Sequence, residues 1–394
     1  MIPRTLELKL RELAGYYPVV MVTGPRQSGK TTLCQVTFPA KPYLSLEALD
    51  TREFALNDPR GFLAQYADGA ILDEIQHAPE LLSYLQGDVD TRPDPGRFVL
   101  TGSQHFGLSQ SISQSLAGRC GILVLLPPSL AELRAFPNAP ADLFSVMWQG
   151  AYPRIYDRNI PAHQWLADYI GTYVQSDVRQ VINVGDLQVF TGFLKLCAGR
   201  TAREINLSAL GSDAGVSHNT ARAWLSVLET SYLIHRLPAW HPNIRKQVVK
   251  APKLHFFDSG LACYLLGIRE PEQLRLHPLR GAIFESWVIS EIYKGGAHSG
   301  LHPSLFHYRE TRGLEIDLLI EQGEGLDAVE IKSGATTTAN FFTNLERFPV
   351  RLKEAGKKLR IRSHIVYGGD DSYQRSRAQV ISWHDVQRLI SLKP

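Results

Sequence analysis

One stretch limits what this chain can fold into more than any other. An apolar run at 18–23 leads into Gly24-Pro25-Arg26-Gln27-Ser28-Gly29-Lys30-Thr31-Thr32, and a helical pattern starts there. Gly24 and Gly29 let the backbone turn so that successive amides point inward, which makes a cup for an anion. A helix beginning at the same point adds its partial positive charge. The chemistry fits a nucleotide: Lys30 would reach the β- and γ-phosphates, and the Thr31 hydroxyl would ligate magnesium. Gly24 to Thr32 is therefore the expected cofactor-binding segment.

Such a loop needs an acid at the end of a neighbouring strand. Ala70-Ile71-Leu72 is apolar and is followed at once by Asp73 and Glu74. Asp73 is expected to hold magnesium, directly or through water, and Glu74 to polarise the attacking water. A third run, from Arg97 to Gln104, ends in polar residues at what should be the same carboxyl edge, where open α/β sheets bind ligands. Ser103 or Gln104 could sense the γ-phosphate there, and a simple turn is the alternative. Arg119 also has two readings: an arginine finger, within the chain or across a subunit boundary, or a structural ion pair. The chain has no Asn/Thr-Lys-x-Asp motif, which favours ATP over a guanine nucleotide.

At 394 residues the chain has room for two or three domains. Apolar runs at 18–23, 43–46, 70–72, 97–101 and 121–125 alternate with helical stretches, as in an α/β sheet. The segment from 152 to 248 reads mostly helical. Within it, 207–210, a turn at 211–216 and 217–228 outline a helix-turn-helix, with Ser217 as N-cap and Ala221, Trp224, Leu225 and Leu228 as the buried stripe. The last third returns to α/β, with a helix over 283–294, strands at 305–309, 315–321 and 328–332, a helix, and a strand at 363–367.

A formal net charge of +3 permits a local nucleic-acid patch without arguing for one. Cysteines 34, 120, 197 and 263 are far apart with no metal-ligand spacing, which points to reduced thiols. The N-terminus is unlike a secretory leader, and runs such as 122–126 are too short to cross a bilayer. A cytoplasmic location and no membrane partner are expected.

Several later blocks carry a resemblance. Gly24 to Thr31, Leu72-Asp-Glu-Ile-Gln76, Leu100-Thr-Gly-Ser103, Leu116-Ala-Gly-Arg119 and Gln149-Gly-Ala-Tyr-Pro153 occur in that order. Phe256-Phe-Asp-Ser-Gly-Leu261 and Gly281-Ala-Ile-Phe-Glu285 follow. Nearly the whole chain resembles a family of prokaryotic AAA+-type P-loop ATPases whose C-terminal domain has long been labelled as of unknown function. The first two motifs are common to all P-loop ATPases, so the later ones carry the family-level likeness. One departure is Ala151, where the family usually has a second glycine. The resemblance implies an additional-strand P-loop sheet, a winged-helix segment and a C-terminal nuclease-like domain.

The residues of that last domain allow more than one reading. Glu285 falls on a helix, Asp317 in one strand, and Glu330 and Lys332 two apart in the next, where they face the same way. Two or three carboxylates and a lysine could hold a divalent metal for nucleic-acid cleavage. The αβββαβ order fits a restriction-endonuclease-like fold and the spacing resembles PD-(D/E)XK, although Ile316 stands where Pro would. An active nuclease, an inactive nucleic-acid-binding relic and a structural pairing of Lys332 with acids all remain open. For the winged-helix segment, His218, Asn219 and Arg222 would face a groove and Arg245, Lys246 and Lys250 would contact phosphates. A protein-interaction role is the alternative.

The expected architecture is thus α/β. It comprises a P-loop NTPase domain of the AAA+/ASCE kind at 1–150, a helical and winged-helix segment at 151–250, and a nuclease-like domain at 251–394. The expected activity is magnesium-dependent ATP hydrolysis. It would serve DNA or RNA, or regulate a protein partner, and an oligomer is compatible with either.

Overall fold

Val19–Thr23 and Phe98–Gly102 are buried along their whole length, as strands inside a parallel sheet must be. The computed structural model describes residues 2–102, 115–173, 187–241, 251–310, 313–323, 325–357 and 359–390. Two units make up the chain: residues 1–135, 230–232 and 297–301 form one, and residues 136–229, 233–296 and 302–394 the other.

The first unit is built on β1 (Val19–Thr23), β2 (Tyr43–Ser45), β3 (Ile71–Asp73), β4 (Phe98–Gly102) and β5 (Cys120–Val124). All of their pairings are parallel, in the order β2-β3-β4-β1-β5. Each expected strand is found, with its ends shifted by no more than one residue. β4 lies between β1 and β3, which is the additional strand that the resemblance implied.

Side chains alternate across this sheet. Val19, Met21, Leu72, Phe98 and Leu100 face α3 (Leu49–Asn57), α4 (Pro59–Gln65) and α5 (Leu81–Thr91). Val20, Val22, Ile71 and Val99 face α1 (Leu6–Ala14) and α2 (Lys30–Thr37). α1 buries Leu6, Leu10 and Ala14, spaced four apart on one stripe. Truncating Leu10 to Ala there should cost about 2–5 kcal/mol. A capping box made by Ser129 and Glu132 starts the short α6 (Leu130–Leu133).

The second unit opens with α7 (Leu143–Gln149), α8 (Pro153–Asp157), α9 (Ala162–Tyr173) and α10 (Leu187–Ala198). β6 (Arg203–Glu204), α11 (Leu207–Ala214), α12 (His218–Thr230), β7 (Ile234–Leu237) and β8 (Lys253–Phe256) follow, and the strands pair antiparallel as β6-β8-β7. Ser217 caps α12 by accepting the Thr220 N–H at 3.1 Å, and Ala221, Trp224, Leu225 and Leu228 are buried, as expected. The mostly helical reading of 152–248 misses β6 and β7, which are two and four residues long and leave little periodicity to read.

The unit closes with α13 (Ser259–Leu265), α14 (Pro271–Leu276) and α15 (Arg280–His298), then β9 (Ser304–Arg309), β10 (Glu315–Gln322) and β11 (Gly325–Lys332). α16 (Thr343–Glu354), β12 (Arg360–Tyr367), β13 (Tyr373–Gln374) and β14 (Gln379–Ser382) complete it. The sheet runs β13-β14-β12-β11-β10-β9, with β11–β12 and β12–β14 parallel and the rest antiparallel. From α15 to β12 the element order is the αβββαβ read from the sequence. No helix among the described residues is long and apolar enough to cross a membrane.

Candidate functional site

The turn between β1 and α2 needs backbone that L-residues rarely adopt. Gly24 has φ 144° and Gly29 φ 96°, and even Gln27 sits at φ 63°. A Cβ on Gly24 would lie 2.2 Å from the Leu125 carbonyl oxygen, so only glycine fits. Lys30 folds back across the loop and donates to the Gly24 and Pro25 carbonyls at 3.1 and 2.9 Å. Burial lowers its pKa from the ordinary value, while Glu74 and Asp73 work to raise it. The Ser28 hydroxyl is buried and has no hydrogen-bond partner among the described residues, nor does that of Thr23. Buried donors left open in a loop of inward amides suit an anionic ligand.

Asp73, at the end of β3, is the hub of the site. Its carboxylate accepts the Thr31 hydroxyl at 2.9 and 3.2 Å, the Tyr43 hydroxyl at 2.7 Å and the Thr101 hydroxyl. The sheet register explains this convergence. Ser45 pairs with Asp73, so Tyr43 lies two residues back on the same face of β2, and Thr101 sits near the end of the adjoining β4. Burial and the bond to Asp73 push the Tyr43 hydroxyl up to about 12. The Thr31 hydroxyl and the Asp73 carboxylate are hard oxygen donors at a helix N-terminus, and they fit magnesium. Sequence reasoning missed Tyr43, which only the β2–β3 register brings to the site; Thr101 was placed on its strand but given no role.

Glu74 has left-handed backbone, φ 57° and ψ 49°, uncommon for a residue with a side chain. Its N–H reaches the Thr101 hydroxyl at 3.3 Å, and its carboxylate accepts from the Gln76 amide. Ser103 and Gln104 lie outside the described residues. Arg119 sits at the opposite end of the sheet: its carbonyl accepts the Val19 N–H, one strand length or roughly 15 Å from the loop after Thr23. Its guanidinium pairs with Asp90, with one contact of 2.9 Å. The structural ion pair is therefore the arrangement found, and the finger within the chain is corrected by the placement of Arg119 at the amino edge.

In the second unit the expected metal set is brought close but is occupied by lysines. Lys253 binds Glu285 at 3.0 Å and Glu315 at 2.8 Å. Lys332 binds Asp317 at 3.0 Å and Glu330 at 2.6 Å. The Asp317 carboxylate also takes the Ile331 N–H at 2.8 Å, beside a register shift between Ile316 and Leu319 that bends the β10–β9 ladder. Burial, with Asp317 nearby, pushes Glu285 up to about 8 and Glu330 up to about 7. Among the described residues no three His, Cys, Asp or Glu side chains are arranged to hold a metal. Glu285, Asp317 and Glu330 thus stand in an ion-pair network with Lys253 and Lys332. Lys253 was not anticipated, because nothing in its local sequence marks it.

Two of the family-like blocks meet in one buried junction. Asp258 accepts the Ala151 N–H at 2.7 Å and the Leu261 N–H at 2.9 Å. Gly150 has φ 71°, and a Cβ there would strike Asp258 at 2.2 Å. These motifs hold α7 against α13, so their sequence prominence reflects packing. On α12, His218, Asn219 and Arg222 are exposed. Arg245, Lys246 and Lys250 lie outside the described residues.

Comparison with known proteins agrees with the first unit's geometry. Residues 16–134 match an AAA domain family, residues 140–272 a domain of unknown function (DUF8612), and residues 280–386 another domain of unknown function (DUF4143). Uncharacterized protein Rv2008c of Mycobacterium tuberculosis and uncharacterized protein Mb2031c of Mycobacterium bovis are each 28% identical over 401 residues, covering 99% of this chain and 87% of theirs. Among solved structures, the Walker-type ATPase paby2304 of Pyrococcus abyssi is similar with a TM-score of 0.44 at 15% identity, over 66% of this chain and 94% of that one. Residues 16–134 thus match an AAA domain family, and the two regions that follow match domains of unknown function.

Proposed function

We propose that the loop from Gly24 to Thr32 binds ATP and that the site at Asp73 and Glu74 hydrolyses it. The observation that carries this reading is the bond from Thr31 to Asp73, which joins two motifs 42 residues apart in a single hard-oxygen pair. Thr31 and Asp73 would hold magnesium, which supplies positive charge to the β- and γ-phosphates when bound. Lys30 and the loop amides bind the phosphate oxygens, and Lys30 stabilises the charge that develops on the γ-phosphate. Glu74 takes the proton from the attacking water, and Gln76 orients its carboxylate.

The test is an ATPase and ATP-binding assay on the full chain. Glu74→Gln should keep ATP binding and lower phosphate release by roughly 10²- to 10⁴-fold. Lys30→Ala should lose binding. Retained turnover in Glu74→Gln would move the base elsewhere.

A second reading is supported by the exposed face of α12, which follows a capped turn in a helix-turn-helix and precedes a strand pair. In that reading the segment is a winged helix that places His218, Asn219 and Arg222 in a duplex groove, and ATP turnover responds to DNA or RNA. An affinity that does not fall with salt would count against phosphate contacts and favour a protein partner. Any catalytic role for Arg119 would require a neighbouring subunit.

A further inference from the structure

Arg4 precedes α1, far in sequence from the loop, yet it touches the loop directly. Its guanidinium donates to the Ser28 carbonyl at 2.9 Å and to the Leu126 carbonyl at 2.7 Å. Its Nε lies 3.3 Å from Glu132, and both side chains are buried. Glu132 is fixed in turn by the N–H groups of Thr5 at 2.7 Å and Ser129 at 2.9 Å. α1 holds this strap in register through buried Leu6 and Leu10.

The Ser28 carbonyl has no place in α2. The Gly29 carbonyl accepts the Leu33 N–H at 2.9 Å, while α2 itself begins at Lys30. Ser28 is fully buried, so its carbonyl needs a donor from outside the helix, and Arg4 supplies one. A trans peptide points its C=O and the next N–H in opposite directions. Drawing the Ser28 carbonyl toward Arg4 therefore turns the Gly29 N–H the other way, to the side of the loop that would face a phosphate. Gly29 is at φ 96°, where glycine's freedom would also allow the peptide to turn over.

We propose that Arg4 is a positioning residue for the phosphate cup: it locks the Ser28–Gly29 peptide with its N–H aimed at the nucleotide's phosphates. This rests on the ATP reading above. The expected phenotype is specific to binding, because Lys30, Thr31, Asp73 and Glu74 are untouched.

The test compares the full-length wild type with Lys30→Ala, Arg4→Lys and the double variant Arg4→Met/Glu132→Gln. The double variant removes the buried Arg4–Glu132 pair as a unit and keeps at position 132 an amide that the His298 ring, 3.1 Å from Glu132, can still hydrogen-bond. In Arg4→Lys and in the double variant, ATP should bind roughly ten- to hundredfold more weakly, the value of one charge-assisted hydrogen bond. KM should rise with kcat kept within about threefold of wild type, because the interaction lost is with bound phosphate. A merely structural Arg4 would lower the active fraction, and so kcat, at unchanged KM. That result, or wild-type ATP affinity in a folded double variant while Lys30→Ala fails to bind, overturns the inference alone. Failure of the wild type to bind ATP overturns this inference and the ATP reading together.

Discussion

Asp73 gathers hydroxyls from residues 31, 43 and 101, and of the three Tyr43 lies outside every motif read in the sequence. An ionised carboxylate has about four acceptor positions, so these donors nearly fill it and fix its plane. Tyr43 is partly exposed, which reduces what its bond is worth to about 1 kcal/mol. Tyr43→Phe should therefore leave magnesium-free ATP binding unchanged and raise the magnesium needed for half-maximal turnover by roughly fivefold. A magnesium titration of ATPase activity checks this, and an unchanged midpoint would make the Tyr43 bond incidental. Thr31 and Asp73 can be read from the sequence because local spacing alone delivers them: a glycine loop before a helix, an acid after an apolar run. Tyr43, Arg4 and Lys253 cannot, because each acts through a register or a long-range approach that no local pattern encodes.

The central strands of the first unit are legible because burial on both faces turns them into short unbroken apolar runs between turn residues. β6 and β13 are not, since two-residue strands lie below any period. β7 and β8 hold another feature that sequence conceals. His235 and His255 are opposite each other across the ladder, with rings 5.3 Å apart. His235 also meets Phe257 and Tyr293, whereas His255 bonds Ser286 at 2.9 Å and feels Lys253 and His307. Neither Nε2 has a hydrogen-bond partner among the described residues. Burial pushes His235 down to about 3, and burial together with its charged neighbours lowers His255.

For a histidine whose folded pKa is depressed, the unfolded state binds more protons between about 3 and about 6.5, so stability is present above that window and falls with pH inside it. From about pH 7.5 to about pH 5.5, His235 alone should remove about 1.4 kcal/mol. Glu285 and Glu330, whose pKa values are raised, work in the opposite direction, because they hold protons more tightly folded than unfolded. The difference between wild type and His235→Phe isolates the histidine contribution. Urea midpoints at the two pH values should show the variant gaining about 1.4 kcal/mol on the wild type as pH falls. Parallel loss in both proteins would mean that His235 accepts a proton in the folded state.

At the scale of the whole chain, the nucleotide site and the Lys253 and Lys332 networks belong to different units with their own cores. A ligand that binds only folded protein stabilises the part that contains its site, by about 2.7 kcal/mol at a hundred times its dissociation constant. For a domain of about 150 residues that is a rise of roughly 5–10 °C in Tm. Calorimetry with magnesium and ATP should therefore raise the transition of the first unit by that amount and leave the second where it was. Lys30→Ala should remove the rise, since it takes away the phosphate contact. Lys332→Met should have the complementary effect. It leaves buried Asp317 and Glu330 without their cation, which costs about 3–5 kcal/mol, so the second transition falls while the ATP-induced shift of the first persists. If ATP instead raises both transitions together, the two units unfold as one cooperative body, and nucleotide occupancy reaches the C-terminal network through their shared stability.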